Sequence, residues 1–155
     1  MQPRMKSPVF TLPGTREALL TVSKATAGCG VPRATLELVN VRVGQINGCA
    51  VCVDMHSRAL KKLGDSDIRI FAVAVWRETP YFTDAERAAL ALAESATRLC
   101  DRADAVPHEV WAAASRHYEE PALAALVTAI ALANLWNRLN VVTQQVTGDH
   151  VAQYI

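Results

Sequence analysis

Cys49 and Cys52 stand in the stretch INGCAVCVDMH, residues 46–56, and His56 follows four residues after the second thiol. Two thiols and an imidazole at this spacing can ligate a metal, staple a fold or carry out thiol redox chemistry. Asn47-Gly48 breaks one helix and can cap the next, so both cysteines fall in the first turn or so of a helix. There, unpaired backbone N–H groups and the positive end of the helix dipole stabilise a thiolate, the form that attacks peroxides and disulfides. Cys52 and His56 are four apart and share a helix face, close enough to exchange a proton directly or through one water. Cys49, three before Cys52, lies on roughly the same side and can pair with it.

Glu37 extends this set. It lies ten residues before Asn47, roughly 15 Å back along its helix at a rise of ~1.5 Å per residue. His56 lies about 12 Å up the next helix by the same rise. If the short turn folds the two helices back antiparallel, Glu37 and His56 meet at similar depth, and the carboxylate can orient the imidazole and accept its proton. Gly44 shares a face with Glu37 and costs its helix roughly 1 kcal/mol against alanine, which is understandable if another backbone approaches closely there. Zinc is the alternative for these residues: Cys49, Cys52 and His56 with Glu37 as fourth ligand, an atypical set with no second cysteine pair nearby. Haem attachment would need histidine directly after Cys52, where Val53 stands.

The elements around these residues read as helix almost throughout. Thr15 can cap a helix to about Ala27, closed by GCG. Pro32 opens a second that ends near Asn47-Gly48, and a third runs from Cys49 to Gly64 with Lys61 and Lys62 in its last turn. A short fourth segment, SDIRIFAVAVWRE, ends before Pro80. Thr83 opens a fifth, Pro107 a sixth around Trp111, and a long last helix runs from about Pro121 to Val146. VFTL, residues 9–12, could pair locally as strand, but no stretch alternates long enough to define a sheet. These signals give one all-α domain over residues 1–155, with about seven helices and a helical hairpin carrying the CxxC motif. The first half of the last helix is apolar nearly all round, which places it at a core centre or a subunit interface.

Composition narrows the classes. The chain has 155 residues, 51% of them hydrophobic and 20% charged, with 16 basic against 15 acidic residues. That is a globular balance with no basic block, so nucleic-acid binding is not expected. The run from Ala122 to Leu135 is shorter than the roughly 20 residues of a membrane span, and the first residues lack a secretory h-region. A cytoplasmic, non-membrane protein is therefore expected. In a reducing compartment a close cysteine pair points to catalysis or metal binding rather than to a structural disulfide. Cys29 and Cys100 read as packed apolar residues. Asn134 and Asn137 read as amides that bridge helices or line a cavity near the thiols, and Arg77 as a partner for a carboxylate. Tyr81 and Phe82 are candidates for the mouth of a substrate channel. His108, His117 and His150 have no recognisable partner spacing.

The segment ELVNVRVGQINGCAVCVDMH, Glu37 to His56, closely resembles the motif of the alkylhydroperoxidase D (AhpD) core within the carboxymuconolactone decarboxylase-like superfamily. The motif is a glutamate twelve residues before the first cysteine, followed by C-x-x-C-x-x-x-H. AVAVWRETPYFTDAERAALALAE and ALANLWNRLNVVTQQ also resemble its small single-domain members, so the resemblance spans about Pro32 to Val146. It implies an all-helical AhpD-like fold, a homo-oligomer (trimer or hexamer), and a hydroperoxidase cycle without metal or cofactor. It further implies that Cys52 is the peroxidatic thiolate, Cys49 the resolving thiol, and His56 with Glu37 a proton relay. The reductant implied is an external dithiol or lipoyl-bearing protein, and a peroxiredoxin is a further implied partner. The chain departs from the pattern at Val51, where the best-known members carry a second histidine. Two other readings stand beside the peroxidase: a non-catalytic redox-sensing or zinc-binding helical module, and a carboxymuconolactone decarboxylase-type enzyme. The cysteine pair argues against the last, because true lactone decarboxylases typically lack it.

Overall fold

Helix α3 (Arg33–Asn47) is apolar on two faces, and the rest of the chain arranges itself around that fact. Val39 and Val43 point into one buried cluster with Leu92, Leu126 and Ile130. Leu38 and Val41 point into a second with Leu60, Val73, Trp76 and Leu90. A surface helix needs only one apolar stripe; a helix with two must be covered on both sides. α3 accordingly packs against α4 (Ala50–Lys62), α6 (Asp84–Thr97) and α8 (Glu120–Val142).

The computed structural model describes residues 1–100 and 102–154, with Gln153 described in its backbone only. Among these, eight α-helices and two 3₁₀ segments follow one another, with no strand. α1 (Pro8–Thr11) is a single turn, α2 spans Thr15–Ala25, α5 Asp67–Ala72 and α7 His108–Ser115. The 3₁₀ segments are Val73–Glu78 and Asp149–Tyr154. The all-α reading is therefore correct, with eight α-helices where about seven were expected, and its departures are local. VFTL is not strand: Pro8 at the first helical position starts α1 over most of it. Thr15 is not a cap but the first residue of α2, whose N-cap is Gly14 in the left-handed region, φ 78°. The fourth segment is α5 followed by 3₁₀ helix, broken at Val75, whose φ of −123° and ψ of 30° are not helical.

The last helix ends at Val142, earlier than expected. Gln144 takes φ 52°, and the amino-terminal segment meets the exposed end: Arg4 donates from its backbone to the Thr143 carbonyl (2.9 Å) and from Nη1 to the Val142 carbonyl (3.0 Å). At 23 residues α8 is longer than the apolar run read from the sequence, and by length and composition alone it could cross a bilayer, as a buried core helix also could. Of its most apolar window, 44% is buried inside the fold. Fully buried Leu126 and nearly buried Ile130 show where that apolarity is used, each side chain contributing roughly 1.5–3 kcal/mol by leaving water.

One buried carboxylate ties the second cluster to α3. Glu94 of α6 is 5% exposed and accepts from Arg42 Nε of α3 (2.6 Å) and from Trp76 Nε1 (3.1 Å), with the Arg77 guanidinium on its other oxygen. Arg77 thus pairs with a carboxylate, as its sequence context suggests, and also lies over the Trp76 ring. Burial pushes the Glu94 carboxyl up, but the bonds from Arg77, Trp76 and Arg42 outweigh it and hold the group below its ordinary value. A carboxyl held low in the folded state stabilises the fold at pH values above its unfolded pKa, and that contribution disappears as the pH falls through the folded value. Glu94→Gln should cost about 3 kcal/mol near pH 7. The gap to the parent protein should close as the pH drops below about 4. Urea unfolding across pH checks this; a gap that stays constant to acid pH contradicts it.

Candidate active site

The turn between α3 and α4 is built from three residues with separate tasks. Gly48 closes α3 in the left-handed region, φ 69°, and returns its N–H to the Gly44 carbonyl; a residue with a Cβ is strained there. Cys49 N–H reaches the same carbonyl at 2.9 Å. Cys49 is the N-cap of α4, and its sulfur accepts from the Cys52 N–H at 3.3 Å. Asn47 donates from one amide nitrogen to Asn134 Oδ1 (3.0 Å) and Asn137 Oδ1 (2.9 Å), fastening the turn to α8. Asn134 is itself satisfied by Thr97 Oγ1 and the Ile130 carbonyl. These two asparagines therefore bridge helices, and Asn137 also lines the cavity described below.

Gly44 sets how closely the helices approach. A Cβ at this position would lie 3.1 Å from Val53 Cγ2 and 3.4 Å from Cys52 Cβ. Alanine at Gly44 would therefore press directly on the residue that carries the second thiol.

Cys49 and Cys52 are joined in a disulfide, with their Cα atoms 5.3 Å apart. Both are buried, at 1% and 3% exposure, yet they are not equivalent. Cys52 lines a cavity of about 610 Å³ with Glu37, Val51 and His56, whereas Cys49 lies behind it. His56 Nδ1 is 2.6 Å from Glu37 Oε2, and Arg33 Nε approaches the other Glu37 oxygen at 3.7 Å. With Nδ1 held by the carboxylate, Nε2 is the nitrogen free to take or give a proton. The antiparallel hairpin thus brings Glu37 and His56 together as their helical depths require. Val51 presents an apolar side chain to the same cavity.

Asn140 was not singled out in the sequence. Its amide donates to Cys52 Sγ at 3.4 Å and lies 3.8 Å from Cys49 Sγ. The signal was present: Asn134, Asn137 and Asn140 recur every three residues along one face of α8. A neutral donor aimed at sulfur favours the thiolate over the thiol once the disulfide opens.

Other expectations are corrected. Phe82 is buried in the second core cluster and Tyr81 is exposed, and neither lines the cavity. The aromatic residues that do so are Phe10, Trp136 and Tyr154, with Phe10 and Tyr154 stacked at 6.3 Å between centroids. His150 also lines the cavity, reached through the carboxy-terminal 3₁₀ segment that sequence periodicity did not reveal. Cys29 packs against the first cluster, but Cys100 is exposed rather than packed.

An all-helical fold with a disulfide-forming CxxC at the start of a helix, backed by a glutamate–histidine pair from a hairpin, defines a class of thiol-bearing helical proteins. The chain belongs to the carboxymuconolactone decarboxylase family, whose sequence profile matches residues 13–95. It is 34% identical over 129 residues to the uncharacterized protein YdfG of Bacillus subtilis (strain 168), covering 83% of this chain and 86% of that one. A shorter stretch of 42 residues is 48% identical to the alkyl hydroperoxide reductase AhpD of Bradyrhizobium, 27% of this chain and 23% of that one. Among solved structures, an Agrobacterium tumefaciens protein of unknown function, provisionally assigned to antioxidant defence as AhpD, superposes with a TM-score of 0.87. The two are 26% identical over 95% of this chain and 99% of that one.

If Asn140 stabilises the Cys52 thiolate, Asn140→Ala should slow alkylation of reduced Cys52 by iodoacetamide about tenfold at neutral pH. Peptide mass spectrometry, which separates Cys52 from Cys29 and Cys100, checks this. An unchanged rate would remove Asn140 from the site.

Proposed function

We propose that the protein is a thiol-dependent hydroperoxidase that cycles through a Cys49–Cys52 disulfide. The observation that carries this reading is the asymmetry of the pair: Cys52 faces the cavity beside the His56–Glu37 pair, and Cys49 is buried within bonding distance behind it.

His56 removes the proton from reduced Cys52, with Glu37 holding the ring and stabilising the imidazolium that results. The thiolate attacks one peroxide oxygen. A sulfur–oxygen bond forms, the O–O bond breaks, and the departing alkoxide leaves as an alcohol with the proton His56 returns. Sulfur has given up two electrons and stands as a sulfenic acid. Cys49 attacks it, water departs, and the disulfide seen in the structure forms. An external dithiol then reopens the bridge by exchange and is itself left as a disulfide, which closes the balance. The Cys52 N–H on Cys49 sulfur and the Asn140 amide near both sulfurs are placed to stabilise negative charge on whichever sulfur carries it.

The physiological reductant in this reading is a lipoyl-type dithiol, with a peroxiredoxin as a further partner, and the compartment is a reducing cytoplasm. A homo-oligomer is part of the same reading. Phe71 is 75% exposed and Val142 64%, apolar surface that a second copy would cover.

Cys52→Ser should abolish hydroperoxide consumption driven by dihydrolipoamide. Cys49→Ser should allow one turnover and stop at a sulfenic acid that dimedone traps on Cys52. Steady-state turnover in the Cys52 variant comparable to that of the parent would sink the mechanism.

A further inference from the structure

Helix α2 turns one face to the cavity in front of Cys52. Arg16, Leu20 and Lys24 line it at four-residue intervals, so two cations flank a leucine on the same helix face. Neither cation has a carboxylate partner among the described residues; Arg16 only rests over the Phe10 ring, 5.9 Å from its centroid. Arg42, Arg58, Arg69 and Arg77, by contrast, each sit on a carboxylate. Arg33 adds a third cation to the cavity, its side chain 68% exposed. Glu37 is the one carboxylate among the lining residues described, and His56 already engages it. The formal net charge of the whole protein is only +1, so the excess of positive charge is a local property of this cavity.

The wall also carries apolar side chains, Leu36, Met55, Leu132 and Trp136 among them, beside uncharged polar ones such as Asn40, Asn137 and Gln145. At about 610 Å³ the space falls within the roughly 300–1,000 Å³ typical of small-molecule sites. A cavity with an apolar portion, a sulfur on its wall and unpaired cations on α2 matches a molecule with an apolar chain and one anionic group. A carboxylate suits these cations, because the guanidinium fork bonds it through two parallel hydrogen bonds. No ion pair of the free protein has to be broken to receive it.

We propose that this cavity binds an amphiphilic carboxylate, and that the oxidising substrate is a hydroperoxide with a medium-length apolar chain and a carboxylate held by Arg16 and Lys24. The chain lies along Leu132 and Trp136 and brings the peroxide to Cys52. Chemistry at sulfur is as described above, with the carboxylate unchanged and a hydroxy acid as product. The word hydroperoxide rests on the peroxidase reading, whereas binding of the carboxylate does not.

Binding is therefore tested first, by calorimetry on the oxidised protein with decanoate and decan-1-ol. Decanoate should bind about tenfold tighter than the alcohol, and Arg16→Gln/Lys24→Gln should remove most of that preference. Circular dichroism confirms that the double variant is folded. Decanoate should also protect reduced Cys52 from iodoacetamide, which locates it in this cavity. Equal binding of acid and alcohol, a preference that survives the double variant, or no protection of Cys52 overturns the site. The half-reactions are then followed separately. Reduced protein should consume a carboxylated hydroperoxide about tenfold faster than its methyl ester, and the double variant should lose that ratio. If instead the preference appears only when the disulfide is reopened, with dihydrolipoate over dihydrolipoamide, the cations serve the reductant and the substrate assignment is overturned. Absence of any peroxide turnover alongside intact carboxylate binding would sink the peroxidase reading and leave the binding site standing.

Discussion

The close approach of α3 to α4 at Gly44 determines how the hairpin and its site are assembled. A side chain there would meet Val53 and Cys52 within 3.4 Å, so the spacing of the hairpin is set by the absence of one. With the helices that close, the short Asn47-Gly48 turn joins them, Cys49 caps α4, and Glu37 reaches His56 at 2.6 Å. A wider hairpin would part the carboxylate from the imidazole. The glycine costs its helix about 1 kcal/mol in propensity, and packing on both faces of α3 more than offsets it.

That packing also explains the buried polar groups. Because α3 is covered on two sides, its polar residues must find partners inside the fold. Asn47 finds Asn134 and Asn137, and Arg42 finds Glu94. Among the described residues no buried side-chain nitrogen or oxygen lacks a partner, as interiors require when an unpaired group costs about 1–3 kcal/mol. The amide row on α8 does two jobs in sequence order: Asn134 and Asn137 secure the turn, and Asn140 reaches the sulfurs. α8 is thus both the apolar centre of the first core and the back wall of the site.

Much of the hairpin was legible in the sequence because its signals are local and its reach is simple arithmetic. Asn47-Gly48, the CxxC spacing and Gly44 each carry one physical meaning, and a rise of ~1.5 Å per residue places Glu37 opposite His56. What the sequence did not show depends on contacts between distant segments. Asn140 acts 88 residues away from Cys52, and its context alone reads as one more polar residue near a helix end. The aromatic mouth is made by Phe10 and Tyr154 from opposite ends of the chain, so Tyr81 and Phe82, adjacent and conspicuous, misled. The cations of α2 are invisible in a net charge of +1, since only the fold leaves Arg16 and Lys24 unpaired while pairing other arginines.

Membership of the carboxymuconolactone decarboxylase family is compatible with several reactions, because a fold carries function only through its site. In the proposed function the disulfide between Cys49 and Cys52 is one state of a cycle rather than a fixed staple. A single-turnover experiment tests it most directly: fully reduced, metal-free protein is mixed anaerobically with one equivalent of an organic hydroperoxide. The peroxide should disappear, one equivalent of alcohol should form, and peptide mapping should find Cys49 joined to Cys52 while Cys29 and Cys100 stay reduced. Peroxide left unconsumed with all four thiols still titratable would contradict it.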